Sequence, residues 1–98
     1  MAPLESTRLC ILLALARGAL HGYAIQEQIA RDSDDLAHLD YSTIYKSLKR
    51  LEQDKLIKRD GKDLRQIRYQ LAPAGRRTLK IETDRLAQAV TLARQRLQ

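Results

Sequence analysis

Ser42, Thr43, Lys46, Lys49 and Arg50 share one side of the segment 41–55, and each carries a group that a nucleic acid can use. Ammonium and guanidinium groups neutralise phosphates or donate to guanine edges, and short hydroxyls approach bases closely. At 100° per residue the opposite side collects Ile44, Tyr45, Leu48 and Leu51, so the segment reads as an amphipathic helix. Gln53 joins the basic side, and Thr43 lies at its margin. The hydroxyls fall at the N-terminal end of the polar face, where a recognition helix contacts base edges. Only Glu52 and Asp54 are acidic between Ser42 and Arg59, which leaves few i,i+4 partners for the cations. A plainly solvated helix face would carry a similar pattern. The adjoining segment decides between the two. "LIKRD" and "LRQIRYQL" alternate with a period of two around the turn "DGKD", which reads as a hairpin. This wing, residues 57–71, adds Lys58, Arg59, Lys62, Arg65 and Arg68. A basic hairpin beside a basic helix suits duplex DNA, with the helix in the major groove and the hairpin along the backbone or in the minor groove.

The elements that must position these groups follow from the same periodicities. A first helix is expected from about Leu4 to Arg17, closed by Gly18 and the turn "GAL". A second runs from His21 or Gly22 to about Arg31, with Ile25 and Ile29 one turn apart. The polar stretch "DSDDLAHLD" breaks the pattern, and its acids read as a solvated loop. Asp40 or Ser42 can cap the third helix by accepting from a free amide of its first turn. In the second strand Ile67, Tyr69 and Leu71 share a face, and Gln66, Arg68 and Gln70 share the other. A long last helix starts near Pro73. Three helices, a hairpin and a helix make a mainly α chain with a small β-hairpin, in α+β terms a winged helix-turn-helix. The expected division is a DNA-binding unit over 1–72 and a dimerisation helix over 73–98, packed as one compact body.

Composition narrows the function. The chain has 98 residues, a net charge of +6, no Trp, no Phe and four Tyr, so one aliphatic core and an anionic partner are expected. Cys10 is the only cysteine, so by itself it builds neither a disulfide framework nor a zinc site. It reads as a small buried hydrophobe. "LCILLALA" is too short to span a bilayer, and "MAPLESTR" ahead of it carries Glu5 as well as Arg8, unlike a signal peptide. A cytoplasmic protein is expected. His21 and His38 lack a metal-ligand partner at i+3 or i+4, and His21 reads as bonding locally where the second helix starts. There is no Gly-rich phosphate loop, paired-cysteine motif or nucleophile elbow. Neither an enzyme nor a cofactor is expected.

The last helix carries a second signal. Leu79, Leu86 and Ala93 repeat every seven residues, and Thr83, Val90 and Leu97 interleave with them. Such a seam fits a coiled-coil-like pairing. At 1.5 Å per residue a helix of about 25 residues is nearly 40 Å long, more than so small a domain covers, so part of the stripe should project and pair. A homodimer is expected, with the first helix as a contributor.

"LCILLALARGALHGYAIQEQI", "STIYKSLKRLEQDKLI" and "RYQLAPAGRRTL" together resemble the PadR-type transcriptional regulators over nearly the whole chain. The marks are "HGY" at 21–23, the Tyr45-x-x-Leu48-x-x-Leu51 run, and Tyr69 followed by Gly75. The resemblance implies a homodimeric, cytoplasmic bacterial regulator, usually a repressor released by a small molecule or another signal. It implies also that Tyr45 packs in the recognition helix and that the last helix pairs with its symmetry mate. The tail fits the small members with one C-terminal helix. Two positions depart from the pattern. Lys55 stands where Gly is common, so it must tolerate the turn or lengthen the helix. Ala72 stands where Thr commonly caps the last helix, a loss of about 1 kcal/mol that Pro73 at the first helical position partly offsets.

The expected function is sequence-specific binding of double-stranded DNA by a homodimeric regulator, with an unidentified small-molecule effector as a possible further partner. The alternative is a winged-helix protein-interaction module without an operator. An RNA binder fits less well, for want of exposed aromatics on which bases stack.

Overall fold

The computed structural model describes residues 7–33, 39–61 and 67–98. The elements run α1 (Thr7–Leu15), β1 (Leu20–His21), α2 (Gly22–Asp32), α3 (Tyr41–Gln53), β2 (Ile57–Asp60), β3 (Arg68–Leu71) and α4 (Pro73–Arg96). Ile11, Leu12 and Leu15 of α1, Ile25 and Ile29 of α2, and Ile44, Leu48 and Leu51 of α3 are sealed from solvent and form one aliphatic core. The sheet closes this core, burying Ile57, Tyr69 and Leu71 against it. No described helix is long and apolar enough to cross a membrane.

Two features differ from the sequence reading. The wing is a three-stranded antiparallel sheet in the order β1-β3-β2, where a two-stranded hairpin was expected. Leu20 and His21 pair with Tyr69 and Arg68, and this ties the start of α2 to the wing. A strand of two residues has too few positions to show a period. His21 Nδ1 lies 3.2 Å from the Ile67 carbonyl oxygen and reinforces that edge. The helix ends also move inward: α1 stops at Leu15, ahead of Gly18 at φ 143°, and α3 stops at Gln53.

The end of α3 is decided by Lys55, which takes the turn and does not lengthen the helix. Its φ is 60°, in the left-handed region. The Lys55 N–H donates to the Glu52 carbonyl and the Leu56 N–H to the Leu51 carbonyl, both at 3.0 Å. That is a Schellman closure, and Leu56 and Leu51 supply its apolar contact. The Leu56 carbonyl then accepts from the Ala72 N–H at 3.0 Å. Gly75 passes the same carbonyl so closely that any Cβ there would collide with Leu56 backbone. The glycine that follows Tyr69 at a fixed interval is therefore required by close approach. Ala72 precedes α4 without a side-chain cap, and Pro73 opens the helix.

A left-handed non-glycine residue costs roughly 1–2 kcal/mol, and the greater freedom of glycine in the unfolded chain returns about 0.4–1 of it. Lys55→Gly is thus expected to stabilise the fold by up to about 1 kcal/mol. A rise of several degrees in the midpoint of thermal unfolding checks this, and an unchanged or lower midpoint contradicts it.

Candidate nucleic-acid interface

Helix α3 is held on one side by Ile44, Leu48 and Leu51, which are fixed in the core. Ser42, Thr43, Lys46, Lys49 and Arg50 are all exposed. The helix opens on Asp40, whose Oδ1 accepts from the Thr43 N–H at 2.7 Å and from the Ser42 hydroxyl at 3.1 Å. Of the two expected caps, Asp40 is the one used. Hydrogen bonds from the Thr43 side chain and backbone, then from Ser42, hold the Asp40 carboxyl below its ordinary pKa, with a smaller contribution from Lys46. The first turn of the candidate recognition helix is fixed before any partner arrives.

The cations are more constrained than the count of acids suggested. Arg50 Nε lies 3.5 Å from Asp54 Oδ2, an i,i+4 pair. Arg59 Nε donates to Glu52 Oε2 at 2.8 Å, bridging β2 to α3. Both acids of this region are therefore engaged, and the expected shortage of partners is corrected for Arg50 and Arg59. Glu52, through the hydrogen bond first and its charge second, raises the Arg59 pKa. Lys46 makes no ion pair among the described residues. Lys49 sits 4.8 Å from the centre of the Tyr45 ring, a cation–π contact. Lys58 and Arg68 are exposed on the wing. Lys62 and Arg65 lie outside the described residues, as does His38.

Tyr45 does not join the buried face on which the wheel placed it. It is exposed and stacks at 6.2 Å on Tyr41, which stacks at 4.3 Å on Tyr23. Gly22 makes room for this column, since a Cβ there would run into the Tyr41 ring. Three of the four tyrosines thus stand together at the surface, and only Tyr69 is buried. The supposed want of exposed aromatics is corrected accordingly. Tyr41 and Tyr45 at i,i+4 could have suggested half of the column, but Tyr23 joins it only through tertiary packing.

The seam on α4 divides in two. Leu79 packs against the core, and Thr83 is half-buried with its hydroxyl donating to the Leu79 carbonyl at 2.8 Å. Beyond them every residue from Asp84 to Gln98 is exposed, including Leu86, Val90, Ala93 and Leu97. Arg8 pairs with Glu82 at 2.8 Å and fixes the inner half to α1. A groove of about 280 Å³ follows, lined by Leu9, Cys10, Leu13, Ile29, Thr83 and Leu86, with Asp32 and Ser33 also on its wall.

The sequence model of the transcriptional regulator PadR-like family matches residues 11–81. This chain belongs to that family. A PadR family transcription regulator of Clostridium difficile superposes with a TM-score of 0.79 at 24% identity, over 96% of this chain and 100% of that one. The Bacillus subtilis PadR in complex with operator DNA superposes with a TM-score of 0.67 at 26% identity, over 78% of this chain and 46% of that one. A 37.1 kDa protein from a Streptomyces fradiae transposon is 37% identical over 83 residues. That alignment takes in 85% of this PadR-like chain but 24% of the relative, so the chain spans about a quarter of that protein's length.

The Asp40 cap gives this PadR-like domain a pH signature. A carboxylate with a depressed pKa in the folded state stabilises above its unfolded pKa, and that stability is lost as pH falls through the folded value. Asp40→Ala is expected to lower the unfolding midpoint at neutral pH. The gap from wild type should narrow through the acid range, and Asp40→Asn should keep most of the cap. Thermal melts of the three proteins against pH check this, and a gap that stays constant down to acid pH contradicts it.

Proposed function

We propose that this PadR-like chain is a homodimeric repressor that binds a pseudo-palindromic operator. In this reading α3 enters the major groove and the wing lies along the backbone or in the minor groove. The DNA contacts are Ser42, Thr43, Lys46, Lys49 and Arg50 from the helix and Lys58, Lys62, Arg65 and Arg68 from the wing. Arg59 joins them only through the part of its guanidinium that Glu52 leaves open. The observation that carries the reading is the two-sidedness of α3. Its apolar side is sealed in the core, while its opposite side holds cations and hydroxyls in solvent. The operator-bound Bacillus subtilis relative supports it. Selection of bound duplexes from a random library tests it: enrichment of an inverted repeat is expected, and no enrichment over the input contradicts it.

Residues 1–72 act as the DNA-binding unit and 73–98 as the dimerisation helix. Leu86, Val90, Ala93 and Leu97 supply the exposed seam, with Leu79 and Thr83 anchoring its inner end. Leu13, 45% exposed beside the groove, extends this apolar surface onto α1. A second copy is the occupant that a stripe continuous with that groove fits. A two-fold dimer presents its recognition helices to successive major grooves, roughly 34 Å apart. Each subunit alone has few contacts, so tight binding depends on tethering. Val90→Asp puts a charge where the partner would desolvate it, at a position that is 48% exposed in the single chain. The variant is expected to keep its circular dichroism, sediment as a monomer, and lose operator affinity by about 10²–10⁴, the scale of lost bivalency. A variant that stays dimeric and binds normally places the interface elsewhere.

A further inference from the structure

The tyrosine column lies outside the hydrophobic core, and it holds three of the four aromatic residues of a chain that has no Phe or Trp. Tyr23 is 67% exposed and Tyr45 40% exposed, a large aromatic area to leave in water. The column runs along one flank of α3. Tyr41 is the first residue of the helix, Tyr45 follows one turn later, and Lys49 closes the line one turn further on. Tyr23 comes from the first turn of α2, directly after the strand that pairs with the wing. In a helix-turn-helix the helix before the recognition helix crosses the phosphate backbone, so this flank borders the strand that rises out of the groove.

What the column can offer is set by its stacking. Tyr41 has Tyr23 against one face, at 4.3 Å with the planes 16° apart, and Tyr45 at 6.2 Å. Tyr45 has Lys49 over its ring. With these faces taken, a partner can reach the outer face of Tyr23 and the rims and phenol oxygens of Tyr23 and Tyr45. A phenol hydroxyl is a neutral donor suited to a phosphate oxygen, and tyrosine is among the side chains that contact DNA backbone. The stacked rings have lost their rotamer freedom beforehand, so little ordering is left for complex formation to impose. The cation over Tyr45 continues the line into the candidate phosphate contacts of α3.

We propose that Tyr23 and Tyr45 form a neutral backbone clamp, their hydroxyls donating to phosphates of the DNA strand beside the recognition helix, with Tyr41 as the shim that sets their spacing. This rests on the DNA-binding reading above. The clamp is independent of sequence and of ionic strength, unlike the contacts made by Lys46, because a neutral donor displaces no counterion.

Tyr23→Phe, Tyr45→Phe and the double variant keep the stack and remove only the hydroxyls. Anisotropy titrations against the selected operator and a scrambled duplex, at several salt concentrations, read the effect. Each single variant is expected to weaken both duplexes about three- to tenfold, the range of one neutral hydrogen bond. The slope of affinity against salt should stay at the wild-type value. Lys46→Ala, by contrast, should reduce that slope by about 1 if it meets a phosphate. Unfolding midpoints equal to wild type would exclude a packing effect. Phe variants that bind both duplexes like wild type overturn the clamp, and so does a loss confined to the operator, which would mean base readout. A shallower salt slope in Tyr45→Phe also overturns it, by showing that the hydroxyl acts only through Lys49. A wild-type protein without any preference for the operator would instead defeat the regulator reading. Equal losses on both duplexes would then still leave the clamp standing as a property of a non-selective DNA surface.

Discussion

The backbone of Leu56 is shared by three elements. Its N–H closes the end of α3 on Leu51, its carbonyl takes the N–H of Ala72, and the first turn of α4 passes that carbonyl at Gly75. The side chain meanwhile lies in the core with Leu51 and Leu71. Two hydrogen bonds and one close approach thus set where the wing leaves the recognition helix and where the long helix leaves the wing. A buried amide or carbonyl without a partner is costly, so the arrangement has little freedom to slide. Lys55, held at positive φ one residue earlier, is a local strain that this network imposes.

The same economy governs charge on the proposed DNA-facing side. Arg59 bonded to Glu52 and Arg50 near Asp54 are exposed pairs, and such pairs contribute little to stability. Their effect is on geometry. The Arg59 bridge joins the outer strand of the wing to α3 from the sheet side, and Leu56 joins the two through the backbone. Wing and helix are therefore tied at two points, which suits the proposed docking of both on DNA. The acids also lower the positive potential directly over Arg50 and Arg59, whereas Lys46, Lys49, Lys58 and Arg68 make no ion pair among the described residues. A phosphate approaching Arg50 competes with Asp54 for it, whereas one approaching Lys46 does not.

Periodicity made the winged fold legible because the elements that carry it are long. Ile44, Leu48 and Leu51 recur at helical spacing over thirteen residues of α3, and each is buried as that spacing requires. Tyr69 and Leu71 alternate into the core with the expected face. What was illegible is non-local. Leu20 and His21 become a strand only because Arg68 and Tyr69 lie beside them, and Arg59 meets Glu52 only after the turn at Lys55 folds β2 back. Tyr45 was misplaced for a different reason. It stands on the border between the two faces, where a hydropathy pattern counts an aromatic ring as core although its phenol suits it to a wet edge. The asymmetry of α4 was legible in outline, since its length alone exceeds what the core can cover, but the point of division after Thr83 is set by tertiary packing.

That division bears on how the two halves of the molecule communicate. The inner part of α4 is bound to α1 by Leu79 and the Arg8–Glu82 pair, and it starts against the Leu56 carbonyl at Gly75. The outer part, from Asp84 onward, is exposed throughout, with only Leu86 of the seam bordering the groove beside α1. In the proposed dimer the seam of the outer part would fix the partner, and the inner part is joined to α3 both through Leu56, which bonds Leu51 of α3, and through α1, which packs on both helices. A helix bends little over so short a span, so a tilt of α4 against α1 would be carried to the separation of the two recognition helices. Because adjacent major grooves lie at a fixed spacing, even a small change there would weaken both half-sites together. The groove beside Cys10 and Leu86 lies at the junction of inner and outer parts, where the proposed second copy would meet the core. In a dimer of this kind the packing of α1 against α4 therefore governs DNA affinity without either helix entering a groove of the DNA.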